Sequence, residues 1–351
     1  MQKQTIAVFY QSKPPPSIDG IKKPFKPGGY SDSGADIAFT LREAGHNILT
    51  PIPNPDPTHA LDWVFPDSDM GLRQAFLDGG NVFWMNTVLY AGHPIDRIRS
   101  NDLWIVGQDA EATQLYDNKF YTNTLLAEAG LPVAQSAVIE GHNPQLSDSF
   151  VYPVILKPIR GRGSAGVTLV RSEDELLGLV KHWVATDEFG SSFMVEEFLL
   201  GEEITISVMP KGIYNIAGIE VKKDAAWALP PVRRTHHIEH IAPYNGTVPI
   251  VHNSTLYTEI EMKEQEVIRI HSACEMAADV IDIIAPIRID CRRDKDNSFK
   301  IFDVNMKPNI TGAGRPGRDD QDSLISLAAK AVGWGYKGLL ENILRNAWPS
   351  K

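Results

Sequence analysis

Asp290 and Asp303 each sit in a strand-like run, residues 285–293 and Phe299–Asn305. The separator, Asp294-Lys295-Asp296-Asn297-Ser298, is polar turn chemistry, so the two runs read as a hairpin. A turn centred between Asp296 and Asn297 sets Asp290 opposite Asp303 and Arg288 opposite Asn305. Alternate residues share one strand face, which places all four side chains together. Opposed side chains lie about 5 Å apart. Two bare carboxylates at that spacing repel by about 3 kcal/mol at an effective dielectric of about 20. Arg288 offsets part of that repulsion. A divalent cation offsets more, and oxygen-only ligands suit magnesium bridging to nucleotide phosphates. The plainer alternative is a surface hairpin with a salt bridge. Ile287, Ile289, Ile301, Phe302 and Val304 weigh against it, because they mark both strands as buried.

A second constellation lies upstream. Gly161, Gly163 and Gly166 spell G-x-G-x-x-G, a weak motif by itself. A dinucleotide site needs a helix opening on the last glycine. Here Val167-Thr168-Leu169-Val170 follows, which is a strand pattern. A strand–loop–strand arrangement is a flap, whose backbone N–H groups can approach phosphate oxygens. Lys157 just before it adds a point charge for the same phosphates. A glycine-rich hairpin with an exposed lysine is the other reading.

The elements that must position these groups alternate in type. Thr5–Tyr10 reads as a buried strand, followed by a helix at 33–44 and strands at 47–51 and 81–85. That alternation suggests a small parallel α/β unit. The connection at 11–32 is long and carries Lys13, Lys22, Lys23 and Lys26 among prolines and glycines. Loops of that length are uncommon in compact domains and often functional, and this one leaves the strand end where ligands bind. A helix is expected at 117–128, then strands at 136–139, 152–157 and 167–170. Ser172-Glu173-Asp174-Glu175 is a helix start with an N-cap and an acidic first turn. Strands at 192–196 and Glu203–Met209 follow, then Pro230-Pro231, a helix at 259–281, the carboxylate hairpin and a closing helix at 324–332.

Composition excludes several classes. The chain has 351 residues, a formal charge of −10, 43% hydrophobic and 22% charged residues, so it can bury a core and is not disordered. Its acidity argues against coating nucleic acid or an anionic membrane. Two cysteines make no disulfide scaffold, and a reducing cytoplasm is the simplest expectation. No apolar run reaches eighteen residues, and the first residues hold too short an apolar stretch for a signal peptide. Cys274 and Cys291 are expected in the core. His236 and His240 have i, i+4 spacing, but no third ligand makes them a zinc site.

Taken in order, the motifs resemble the ATP-grasp superfamily, and within it the D-alanine–D-alanine ligase group. Asp117-Asn118-Lys119 before Gly130-Leu131-Pro132 matches the group's first nucleotide lysine. Ile155-Leu156-Lys157-Pro158 and the flap match its second lysine and phosphate loop. Val195-Glu196-Glu197-Phe198-Leu199, Gly201 and Glu203 match the adenine hinge and ribose acid. Arg288-Ile289-Asp290 and Asp303-Val304-Asn305 match the oxyanion arginine and the magnesium ligands. The resemblance is strongest over residues 116–323 and covers most of the chain.

What it implies is an α/β protein of ATP-grasp fold with an N-terminal parallel α/β domain at 1–115. A small ATP-grasp subdomain with the flap would span 116–210, and a C-terminal subdomain with the magnesium site 211–351. Lys119, Lys157, Gly163 and Ser164 would hold phosphates. Glu196, Phe198 and Leu199 would read adenine, and Glu203 the ribose. Asp290, Asp303 and Asn305 would bind one or two Mg2+ ions, with Mn2+ as a substitute. Arg288 would stabilise the oxyanion as an amine attacks an acyl phosphate, releasing ADP and phosphate. Arg315 and Arg318 would grip a substrate carboxylate, and Arg233 or Arg234 would reach the γ-phosphate. The partners implied are a small carboxylate and an amine, and a second copy in a homodimer. A D-alanine–D-alanine ligase proper, an ATP-grasp phosphotransferase and a non-catalytic nucleotide-binding regulator are the other readings.

The departures from the group concern the substrate. Its first loop carries an acid that reads an amino group, where this chain has Lys26-Pro27-Gly28-Gly29-Tyr30-Ser31. A later His-Gly motif is replaced by Asn86-Thr87 and Tyr90-Ala91-Gly92-His93. Asp303 stands for a glutamate, and Pro308-Asn309 for a proline–glycine turn. The expected donor therefore lacks a free amino group or presents it differently, and the lysine-rich loop implies an extra anionic group on it.

Overall fold

The computed structural model describes residues 4–23, 25–98, 100–161, 163–237, 241 and 250–350. Among the described residues, three larger sheets and a two-stranded one, Gly212–Ile216 with Ile219–Lys223, organise the chain, and one apolar cluster spans the first and third of the larger sheets. In the first, Thr5–Tyr10 lies centrally, with parallel neighbours Asn47–Leu49 and Val82–Asn86. Trp104–Val106 extends the sheet beyond Val82–Asn86. The central strand and Val82–Asn86 are buried nearly throughout, as continuous apolar runs in a parallel sheet should be. Ser31–Glu43 packs on this sheet through Ala35, Ile37, Ala38 and Leu41, all at helical spacing.

The central sheet has the order Ser136–Glu140, Ser192–Glu197, Val154–Pro158, Thr168–Val170, all antiparallel. Helix Glu173–Thr186 covers it, capped by Ser172, whose hydroxyl accepts from the Glu175 N–H. The third sheet runs Ser254–Leu256, Val232–Arg234, Glu203–Met209, Ile287–Arg293, Phe299–Asn305. Helix Gln265–Val280 buries Val267, Ile270, Cys274 and Ala277 against it. Cys274 and Cys291 are both free and fully buried there, as expected.

Several expectations need correction. The helix expected at 117–128 is found at Lys119–Glu128, and a separate helix that was not expected, Ala110–Tyr116, precedes it. Asn118 separates the two by capping Lys119–Glu128: its side chain accepts from the Tyr121 N–H. The helix expected at 259–281 starts only at Gln265, after a short 3-10 turn at Glu261–Lys263. Leu324–Lys330 does not close the fold. Tyr336–Arg345 follows, and Trp348–Pro349 then returns to pair antiparallel with Trp104–Val106. The first sheet is therefore completed by the far end of the chain. Among the described residues, no helix is long and apolar enough to cross a membrane.

The long connection after the first strand is anchored rather than loose. Lys23 pairs with Asp117, and Asp19 accepts from Arg160 Nε at 3.1 Å. At its end Gly28, Gly29 and Tyr30 take left-handed φ of +73°, +54° and +66° in succession. The Gln11 N–H donates to the Gly29 carbonyl at 2.8 Å, and a Cβ on Gly29 would overlap the Gln11 carbonyl oxygen. Gly29→Ala should therefore lower stability by more than the roughly 1–2 kcal/mol of left-handed strain alone. Thermal denaturation checks this, and an unchanged melting temperature would count against the described turn.

Candidate active site

One cavity of about 490 Å³ takes lining residues from all three units. The hairpin supplies its floor. Arg288 pairs with Asn305 and Asp290 with Asp303, as the sequence predicts, but not for the whole predicted reason. Beyond Asp290 the register slips, so that Cys291 faces Ile301 and Arg293 faces Phe299. The turn is thus centred on Asp296, and Phe302 is a bulge residue that restores the pairing at the site. Its carbonyl, outside the ladder, accepts from Lys157 Nζ at 3.1 Å. The bulge thereby ties the hairpin to the central sheet.

Each acid on the floor has a cation beside it. Arg288 donates through Nη2 and Nε to Asp290 Oδ2, at 2.9 and 3.2 Å. Thr205, facing Asp290 on the neighbouring strand, donates to Asp290 Oδ1 at 2.6 Å. Lys119, in the first turn of its helix, pairs with Asp303. Burial disfavours the charge on Lys119, but Asp303 outweighs it and raises the ammonium pKa. Burial likewise works against ionised Asp303, yet Lys119 and Lys157 hold its pKa below the usual carboxylate value. The Arg288 pKa is raised, because Asp290 and Asp303 overcome its desolvation. Asn305 Oδ1 accepts from the Lys307 N–H at 3.0 Å.

The opposite wall belongs to the central sheet and the flap. Lys157 donates to Glu196 Oε2 at 2.9 Å, and both side chains are almost completely buried. Burial raises the Glu196 pKa against the pull of Lys157. Phe198, Leu199 and Glu203 continue this wall. Glu203 Oε2 lies 2.8 Å from His237 Nε2 and 3.8 Å from Arg292 Nη1. In the flap, Gly163 and Ser164 line the cavity, both at φ +62°. Gly166, at φ +71°, packs so closely on Pro158 and Phe189 that a side chain would not fit.

The cavity brings together Lys26, Lys119, Lys157, Gly163, Ser164, Glu196, Phe198, Leu199, Glu203, Arg234, Arg288, Asp290, Asp303 and Asn305. Three expected site residues lie elsewhere. Arg315 donates through Nε to Asp36 Oδ1 at 2.8 Å. Arg318 forks onto the same carboxylate at 2.8 and 3.0 Å. Both are committed to a buried clamp between the first helix and the segment after the hairpin, and neither lines the cavity. Arg233 points away from Arg234, as neighbours on a strand do. It pairs with Glu202 and Glu261 and stacks on Tyr257. Lys13 is exposed, and of the four loop lysines only Lys26 lines the cavity. His240 lies outside the described residues.

Sequence reasoning passed over Thr205, Arg292, His237, Tyr30 and Lys307. Thr205 and Arg292 follow from one pairing, Glu203–Met209 against Ile287–Arg293. Long-range strand pairing leaves no local mark in a sequence, so only the hairpin half of the floor was visible.

Fold and site together define an ATP-grasp enzyme. The family model described as the D-ala D-ala ligase C-terminus matches residues 125–345. A D-alanine--D-alanine ligase of Pseudomonas entomophila (strain L48) is 27% identical over 248 residues, 69% of this chain and 67% of that protein. That of Haemophilus ducreyi is 25% identical over 320 residues, 89% of this chain and 91% of the relative. The solved D-alanine--D-alanine ligase of Bacillus anthracis complexed with ATP has a TM-score of 0.67 at 16% identity, covering 98% of this chain and 97% of its own. The VanG D-Ala:D-Ser ligase of Enterococcus faecalis gives 0.62 at 14% identity, over 98% and 99%. The chain belongs to the D-alanine–D-alanine ligase family and is an ATP-dependent ligase of the carboxylate–amine class.

Proposed function

We propose that the protein joins a small carboxylic acid to the amine of a small amino-acid-like molecule, through an acyl phosphate, releasing ADP and phosphate. The observation that carries this is a single cavity in which Lys119 and Arg288 pair with the two opposed aspartates while Lys157 pairs with Glu196 and reaches the Phe302 carbonyl beside them. Phe198 and Leu199 form the adenine side, and Glu203 receives the ribose. Lys119, Lys157 and the flap N–H groups around Gly163 and Ser164 neutralise and orient the phosphates. Arg234 faces the same space and adds a positive charge.

Asp290, Asp303 and Asn305 offer an oxygen-only donor set on one face of the hairpin. Among the described residues there is no group of three or more His, Cys, Asp or Glu able to hold a metal. Two carboxylates and an amide oxygen suit a hard cation that keeps water and phosphate among its ligands. Magnesium bound there would neutralise phosphate charge. Arg288 meanwhile presents its guanidinium from the strand beside them. The acid oxygen bonds to the γ-phosphorus and ADP leaves. The amine then bonds to the carbonyl carbon, and Arg288 holds the negative charge that collects on its oxygen until phosphate departs.

The same reading carries a cytoplasmic homodimer. A true D-alanine–D-alanine ligase is the second reading, favoured by the names of the relatives. Incubation with ATP, candidate acids and amines should yield ADP, phosphate and an amide by mass spectrometry. Release of AMP and pyrophosphate would overturn the acyl-phosphate route. A stable phosphorylated acid, formed with no need for an amine, would instead identify a phosphotransferase. Turnover dependent on D-alanine alone would establish the second reading.

A further inference from the structure

We propose that Lys26 and Lys307 form a subsite for an anionic group on a substrate, so that one of the joined molecules carries an acid besides its reacting groups. This deepens the ligase reading and rests on it for the word substrate. The two lysines come from opposite ends of the chain and line the same cavity. Their ammonium groups address one aromatic ring. Lys307 Nζ lies 3.5 Å from the Tyr30 ring centroid, and Lys26 Nζ lies 4.6 Å from it.

The arrangement is built. Tyr30 is a non-glycine residue at φ +66°, a conformation that costs free energy and recurs where function requires it. Asn86, buried at the end of its strand, holds both sides of the cluster. Its Nδ2 donates to the Tyr30 carbonyl at 3.0 Å and to Ser33 Oγ at 2.9 Å, and its Oδ1 accepts from Lys307 Nζ at 3.0 Å. The amide oxygen and the ring face both hold the Lys307 ammonium in place. Two cations gathered at one ring repel each other, and a bound anion reverses that cost.

The nucleotide phosphates already have Lys119, Lys157 and the flap. Lys26 belongs to the first unit, and Lys307 follows the floor residue Asn305 by two positions. The chemistry suited to this pair is a carboxylate, or a phosphate of similar charge, on a small molecule; lysine ammonium serves either as a point charge.

The test is calorimetric binding to the full chain with ADP and magnesium present. The probes are matched acid and amide pairs: succinate against succinamate, and D-glutamate against D-glutamine. In at least one pair the acid should bind about tenfold or more tighter. Lys307→Met and Lys26→Met should each erase most of that preference while ADP affinity stays unchanged. Lys307→Arg, which keeps the charge, should retain much of it. Acid and amide binding alike, or not at all, overturns the subsite. So does a loss of ADP affinity in the variants, which would reassign the lysines to the nucleotide. Turnover of the same compounds reads the ligase proposal separately: an acid preference in binding without ADP release counts against the reaction and leaves the subsite standing.

Discussion

Arg288→Met is expected to lower kcat by about 10²–10³-fold, the loss typical for removing one donor from a developing oxyanion. Its effect on the KM for ATP should be small, because Lys119 and Lys157 remain to hold the phosphates. The expectation rests on position. Arg288 is fixed on a fully paired strand, forked onto Asp290, and faces the cavity beside both opposed aspartates. Removing it also leaves Asp290 with Thr205 but without its guanidinium partner, so circular dichroism must confirm that the variant is folded. Arg288→Lys keeps the charge without the planar fork and should recover only part of the rate. Steady-state phosphate release measures all three proteins. A loss in kcat smaller than about threefold for Arg288→Met would remove the residue from the chemical step.

Asp36→Ala is expected to cost about 3–5 kcal/mol of stability, the range for breaking a buried ion pair by deleting one partner. Asp36 is fully buried on the helix Ser31–Glu43. Both its oxygens are used: Oδ1 accepts from Arg315 Nε and Arg318 Nε at 2.8 Å, and Oδ2 from Thr311 Oγ1 at 2.6 Å and Arg318 Nη2 at 3.0 Å. Deleting the carboxylate leaves Arg315 buried with the carbonyls of Asp32 and Pro57 and, of opposite charge, only the largely exposed Asp32 carboxylate at 3.5 Å from Nη2. Arg318 keeps some solvent contact and should contribute less. Replacing Asp36, Arg315 and Arg318 together by apolar residues should recover much of the loss, because no orphaned charge remains. Urea denaturation of the full chain gives the comparison. A single-variant loss below about 1 kcal/mol would show that the clamp contributes little.

The same three residues illustrate where sequence reading stops. Arg315 and Arg318 look like readers of a substrate carboxylate because the family resemblance places that role there, and their own residue types advertise charge but not partner. The carboxylate they read is Asp36 of this chain, far away in sequence, and nothing local marks it. The opposite case is the hairpin. Its opposed acids were legible because a short polar turn confines the register to a few choices. Even there the turn centre was misplaced by half a residue, and the bulge at Phe302 corrected the pairing where it mattered. Lys157 and the flap were readable from local strand and glycine chemistry, and Lys119 through the family resemblance. Lys307 was not, since a lysine becomes a site residue only when Tyr30 and Asn86 arrive beside it. The fold class followed from the alternation of elements and the ordered motifs. The return of the last strand to the first sheet had no signature, because Trp348-Pro349 is too short to show a period.

That return orders events during synthesis. A chain leaves the ribosome from its N-terminus, and N-terminal domains ordinarily fold while the remainder is still being made. Here Trp104–Val106 keeps one edge unpaired until residues 348 and 349 have emerged. Exposed edges are where a sheet recruits wrong partners. The window in which this edge can pair with a neighbouring chain therefore stays open until residues 348 and 349 have emerged.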